Sequence, residues 1–286
     1  MRVYVTLLLL TFAKSSIQLC RSTVGVTTCG NEILQRGNPL RVNNYKYLLE
    51  FEKGTLREIP TGTFKFLTEL KILHISNNKV NNLEVGAFER LYNLEKLSLY
   101  NNQLEIIKNG VLRDCRNLKI LDLGMNKISD IEQYVFEDTA NLIELNIGFN
   151  NFQKVPSAIA NLKSLKILNL NNNKLKSLPP NSFDKLNKLE VLNLSDNEIA
   201  SLATGAFGGL NNLKELNLKS NYLSSLNTQN LLGDLGALVT IKLSVNSFGC
   251  QTLKNIVDAF EKRRVTVARG YSKSRDVVNG IGCSRP

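Results

Sequence analysis

The chain has 286 residues, 43% apolar and 21% charged, with 36 Lys and Arg against 25 Asp and Glu for a formal net charge of +11. That apolar content is enough for one sizeable or two ordinary globular domains and excludes a disordered chain. A single histidine removes most catalytic arrangements that depend on imidazole.

The chain opens with MRVYVTLLLLTFAKSS, in which Arg2 precedes an apolar run from Val3 to Ala13 and small residues follow. This is the layout of a secretory signal peptide over residues 1–16. The run of about 11 apolar residues falls short of the roughly 20 that a spanning helix needs. The expectation is a secreted, extracellular protein without a membrane anchor, whose cysteines meet an oxidising compartment. Residues 17–45 read as an N-terminal cap, with CRSTVGVTTC as a hairpin closed by Cys20 and Cys29.

From residue 46 to 246 one schedule recurs. Asparagines stand at Asn78, Asn102, Asn126, Asn150, Asn173, Asn197, Asn221 and Asn246, with steps of 24, 24, 24, 23, 24, 24 and 25 residues. Leucine-class residues precede each one at fixed offsets, as Leu94, Leu97 and Leu99 precede Asn102. A degenerate unit comes first, with Leu49, Phe51, Leu56, Ile59 and Phe64 in register and Gly54 in the asparagine slot. The segment NNKVNNLEVGAFERLYNL completes a pattern that resembles the extracellular 24-residue type of the leucine-rich repeat family.

The resemblance implies an α/β repeat solenoid, a right-handed horseshoe with a parallel concave sheet and disulfide-stapled end caps. Physically, LxLxx is a short strand whose leucines point inward and whose variable residues point outward. One unit cannot bury its own leucines, so the coils must stack. Nine strands would make a concave sheet about 40 Å long. Each asparagine supplies donors and an acceptor to turn backbone that would otherwise be buried without partners. The unit after Asn150 is one residue short and the one after Asn221 one residue long, so altered curvature or helicity is expected there. Cys115 occupies a leucine slot and reads as a small buried hydrophobe.

Residues 247–286 form the C-terminal cap, in which Cys250 and Cys283 make the simplest bridge. Leu253, Ile256, Val257 and Phe260 lie at helical spacing behind Thr252, which is placed as the helix N-cap. One cysteine after NxF and a distant one in NGIGC resemble the leucine-rich immune proteins of mosquitoes and related insect secreted proteins. That resemblance implies innate immunity and a monomer or weak dimer.

No CxxC and no ligand-loop carboxylate spacing occur, so neither a metal nor a cofactor is expected, and an enzyme is not expected. The anticipated partner is a protein, held on the concave face by Lys96, Tyr100, Ile120, Asp122, Met125, Ile143, Glu144, Asn146 and Phe149. Two arrangements are open for Met125 and Phe149: anchors standing out on the face, or side chains folded over the turn onto the core. On the variable strand positions seven lysines meet six carboxylates, a surplus of one, which speaks against nucleic acid. The last 40 residues carry eight Lys and Arg against three Asp and Glu. Lys262, Arg263, Arg264 and Arg269 form a basic patch there, which could serve an anionic polysaccharide. Asn193 opens an N-glycosylation sequon.

Overall fold

The computed structural model describes residues 20–23, 26–29, 34, 39–40, 47–51, 54, 56–270 and 276–284. The expected signal peptide over 1–16 and most of the N-terminal cap beyond its hairpin lie outside the described residues.

Every repeat contributes a strand, such as Ile72–His74, Lys96–Ser98, Ile120–Asp122 and Glu144–Asn146, and these pair in parallel in unbroken register. The register runs Leu73, Leu97, Leu121, Leu145, Leu168, Leu192, Leu216, Ile241, and all eight side chains are buried. Their flanking residues remain at least partly exposed in all but Ser98, the alternation that a period of two imposes. The sheet holds twelve strands, eleven of them in the parallel stack from Val26–Cys29 to Thr266–Val267. This exceeds the nine expected, because each cap adds a strand that lies outside the repeat schedule.

On the far side the chain forms two-residue strands, for instance Ile106–Ile107 beside Asp130–Ile131 and Ser177–Leu178 beside Ser201–Leu202. The two units of irregular length depart from this pattern. The short one closes with a 3-10 helix, Ser157–Asn161, and the long one with helix α1, Thr228–Asp234, whose Asn227 side chain accepts from the Asn230 N–H. Between the two faces runs one apolar core, with a column of Phe64, Phe88, Leu112, Phe136, Ile159, Phe183, Phe207 and Leu231.

The asparagines form a second column beside it. Asn102 Nδ2 donates to the carbonyls of Leu99 and, in the preceding coil, Ile75, while its Oδ1 accepts from the Val80 N–H at 3.0 Å. Asn126, Asn150, Asn173, Asn197, Asn221 and Asn246 repeat the arrangement. Thus each asparagine staples its coil to the one before. Asn78, which follows the degenerate unit with Gly54 in the asparagine slot, differs: its Oδ1 is buried without a partner.

At the C-terminal end helix α2, Cys250–Lys262, lays Leu253, Ile256, Val257 and Phe260 over the last coil, all buried. Its N-cap is Gly249, not Thr252, which lies inside the first turn. The start is fixed earlier because Cys250 is bridged to Cys283 and its N–H bonds to the Ser284 carbonyl at 3.0 Å. A hairpin of Val277–Val278 and Ile281–Gly282 turns on Asn279 and Gly280, both at positive φ (50° and 73°), as a two-residue turn of the I′ kind requires. Asn279 Nδ2 donates to the Val267 carbonyl at 2.9 Å, capping part of the sheet's terminal edge. At the other end Cys20 and Cys29 stand opposite each other in the hairpin register, and Cys29 is disulfide-bonded.

Candidate partner-binding face

The concave face is built from columns, one residue per coil. Seven residues before each asparagine the column reads Lys71, Glu95, Lys119, Ile143, Lys166, Glu190, Lys214, Val239. Glu95 lies 2.7 Å from Lys119 and 3.9 Å from Lys71; Glu190 lies 2.7 Å from Lys214 and 3.1 Å from Lys166. The hydrogen bond from Lys119 holds the Glu95 carboxyl below its ordinary range, and those from Lys214 and Lys166 do the same for Glu190. Two lysine–glutamate–lysine groups therefore flank Ile143 with their charges largely satisfied within the face.

The next column reads Ile72, Lys96, Ile120, Glu144, Ile167, Val191, Glu215, Thr240. Glu144 stands in register between Ile120 and Ile167. Ile143 is 37% and Ile167 38% exposed. The predicted Ile120, Ile143 and Glu144 are thus brought together, and Ile167 and Val191 extend the patch. Both were missed by sequence reasoning, although lining up the column six residues before each asparagine would have found them. Lys96 stands beside Ile120 at the patch's near edge.

In the column four residues before each asparagine, the predicted Asp122 and Asn146 are held by the chain itself. Their Oδ1 atoms accept from the N–H two residues on, Gly124 and Gly148, both at 3.0 Å, and Asn146 Nδ2 donates to Asp122 Oδ1 at 2.8 Å. Asn169, Asn193 and Asn217 bind the backbone in the same way. A short amide or carboxylate reaches its own chain two residues on, and here that closes the strand's end. For the sequon this sets Asn193 on the concave sheet, half-buried, with its Oδ1 on the N–H of the buried Ser195.

Met125 and Phe149 are not folded onto the core. They occupy adjacent turns at positive φ (51° and 54°) and are 40% and 46% exposed. Tyr100, half-buried, donates its hydroxyl to the Met125 sulfur. These three form an apolar ridge along the rim, Tyr100 in the column of Gly124 and Gly148 and Met125 and Phe149 one column over. At the sheet's early end His74 Nδ1 lies 3.8 Å from Glu50, yet burial outweighs that attraction and pushes the imidazole's pKa down, so it is neutral at pH 7.

Two other predicted features lie away from this face. Of the basic patch, Lys262 ends α2 and Arg263 is its C-cap, where cations suit the helix terminus, whereas Arg264 and Arg269 line a separate hollow. Cys115 is buried and free, with its thiol pushed up to about 12 by burial and then by Asp114 and Asp138. It stays protonated at pH 8, so iodoacetamide is expected to leave the native protein unlabelled and to add one group only after denaturation, as read by mass.

A family model for the leucine rich repeat matches residues 49–104, 68–128, 116–166, 140–199 and 187–248. The chain belongs to the leucine-rich repeat family. Comparison with curated protein sequences finds no match. Among solved structures, a chain of the TLR13–ssRNA13 complex is similar with a TM-score of 0.65 and 28% identity, over 70% of this chain and 32% of that one. This leucine-rich repeat chain therefore spans about a third of that neighbour's length. Leucine-rich repeat domains generally mediate protein binding, and the columns above are where a repeat of this kind varies from coil to coil. Among the described residues no helix is long and apolar enough to cross a membrane.

Proposed function

We propose that this is a secreted, non-enzymatic recognition protein that binds a protein partner through the middle of its concave face, in an innate-immune setting. The observation that carries the reading is the cluster of exposed Ile143 and Ile167 and half-buried Ile120 around Glu144, with the Tyr100, Met125 and Phe149 ridge beside it. Exposed apolar groups concentrated at the centre of a protein-sized surface are the usual anchors of an interface. Framing lysines that already pair with their own glutamates can form a polar rim at small desolvation cost. Secretion is supported by the amino-terminal segment and by the two disulfide-bonded cysteine sites.

The similar TLR13 structure holds an RNA. For this chain a protein is favoured instead, because the concave variable positions are nearly neutral and Ile120, Ile143 and Ile167 interrupt any continuous basic track. A glycan on Asn193 would stand two coils beyond Ile143 and leave the earlier coils to the partner.

The test uses immobilised mature protein exposed to the secreting organism's extracellular fluid. Replacing Ile143 and Phe149 together by alanine is expected to weaken capture of the specific partner by about a hundred-fold, two anchors being lost. Replacement of the far-side Glu105 should leave it unchanged. Equal capture by the Ile143/Phe149 variant would remove the concave centre from the reading.

A further inference from the structure

The hollow beyond the last coil is lined by Glu261, Arg264, Val265, Thr266, Val267, Arg269 and Asn279 and has a volume of about 390 Å³. It lies at the open end of the sheet, where the strand Thr266–Val267 has a neighbour on one side only. We propose that it is a binding site for a sulfated polysaccharide, one charged sugar unit entering between Arg264 and Arg269 while the chain runs across Lys262 and Arg263.

Four observations support this. Five of the seven concave lysines, Lys71, Lys119, Lys166, Lys214 and Lys242, have carboxylate partners, whereas Lys262, Arg263, Arg264 and Arg269 form no ion pair among the described residues. All four are exposed, so their charge is directed at solvent. The two cations at the hollow itself are arginines, whose planar fork binds a sulfate or carboxylate through two parallel hydrogen bonds. The exposed Thr266 and the half-buried Asn279 add hydroxyl and amide groups suited to sugar hydroxyls.

Among the described residues Glu261 is the one carboxylate at the rim, which disfavours a ligand of dense charge pressed flat against the wall and favours one whose anions are spaced by neutral sugar atoms. The described lining has no aromatic side chain, the kind of stacking platform on which single-stranded nucleic acid depends. The site is distinct from the concave centre, and both could be occupied at once.

The experiment is titration of the full mature chain against heparin of defined length at 150 mM salt. Arg264→Ala with Arg269→Ala is expected to raise the dissociation constant about a hundred-fold, ten-fold for each charged fork lost. Lys163→Ala with Lys185→Ala removes the same charge elsewhere and should change it less than about three-fold. Arg264 sits at φ 61°, where glycine is at ease. Arg264→Gly therefore tests the same contact without strain and should weaken binding about ten-fold with the melting temperature held. Equal weakening by the Lys163/Lys185 pair would overturn the site. Binding of desulfated heparin, poly-glutamate or single-stranded DNA of matched length as tightly as heparin would overturn the ligand class.

Discussion

Asn150→Ala is expected to destabilise the protein by about 3–4 kcal/mol, and Asn78→Ala by about half of that. The two residues occupy the same slot, and both are 7% exposed. Asn150 Nδ2 donates to the carbonyls of Leu123, Ile147 and Gly148, and its Oδ1 accepts from the Ile128 N–H at 2.8 Å. Alanine would strand that N–H and leave three carbonyls short of a donor in the interior, and an unsatisfied buried group costs roughly 1–3 kcal/mol. Among the described residues Asn78 donates only to Ile75 and Ser76, at 3.3 and 3.2 Å, and its Oδ1 is already unpartnered. Less is therefore lost on its removal. Urea melts of the two variants check the ratio; equal losses would mean that the asparagines act by turn propensity and not by stapling coil to coil.

This contrast also marks how far the sequence could be read. The leucine and asparagine columns were legible because each coil repeats them, and a period of two leaves only one choice of inward face. Cys115 was legible for the same reason, standing where leucine stands elsewhere. The caps were less so: the strands Val26–Cys29 and Thr266–Val267 follow no repeat, and their pairing is decided by the neighbouring coil that they cover. The start of α2 was displaced because a disulfide and a backbone bond to Ser284 replace the hydroxyl cap that local chemistry would favour. The hairpin on Asn279 and Gly280 carries a readable turn signal within VVNGIG, which the cysteine pattern overshadowed.

For the binding face the limit was different. That Ile120, Ile143 and Glu144 lie together could be read from the repeat, while their neighbours Ile167 and Val191 were passed over because a neighbouring unit one residue short disturbs simple counting by 24. For Asp122 and Asn146 the sequence is silent in another way, since a side chain poised to meet a partner and one folded onto its own backbone are the same letter. Only the hydrogen bonds to Gly124 and Gly148 separate the two roles. The same distinction applies at the basic end, where four cations divide between a helix terminus and a hollow.

Phe88→Ala is the core substitution from which the largest loss is expected, about 3–5 kcal/mol. Phe88 is fully buried and stacks on Phe64 with ring centroids 5.8 Å apart and planes within 4°. Phe64 in turn meets Phe51 edge-on at 6.1 Å, so the early coils are joined through three rings in series. In a solenoid each coil contacts only its neighbours, and stability is close to a sum of coil and interface contributions. A cavity at Phe88 therefore weakens one interface more than the whole molecule. The early coils, which also contain the unpartnered Oδ1 of Asn78, should then unfold ahead of the rest. The expected result is a urea transition that broadens or splits, with amide exchange accelerated before residue 88 and little changed beyond Phe136. A single transition shifted without loss of steepness, with exchange accelerated evenly along the chain, would show instead that all coils melt as one unit and that the nearest-neighbour picture fails here.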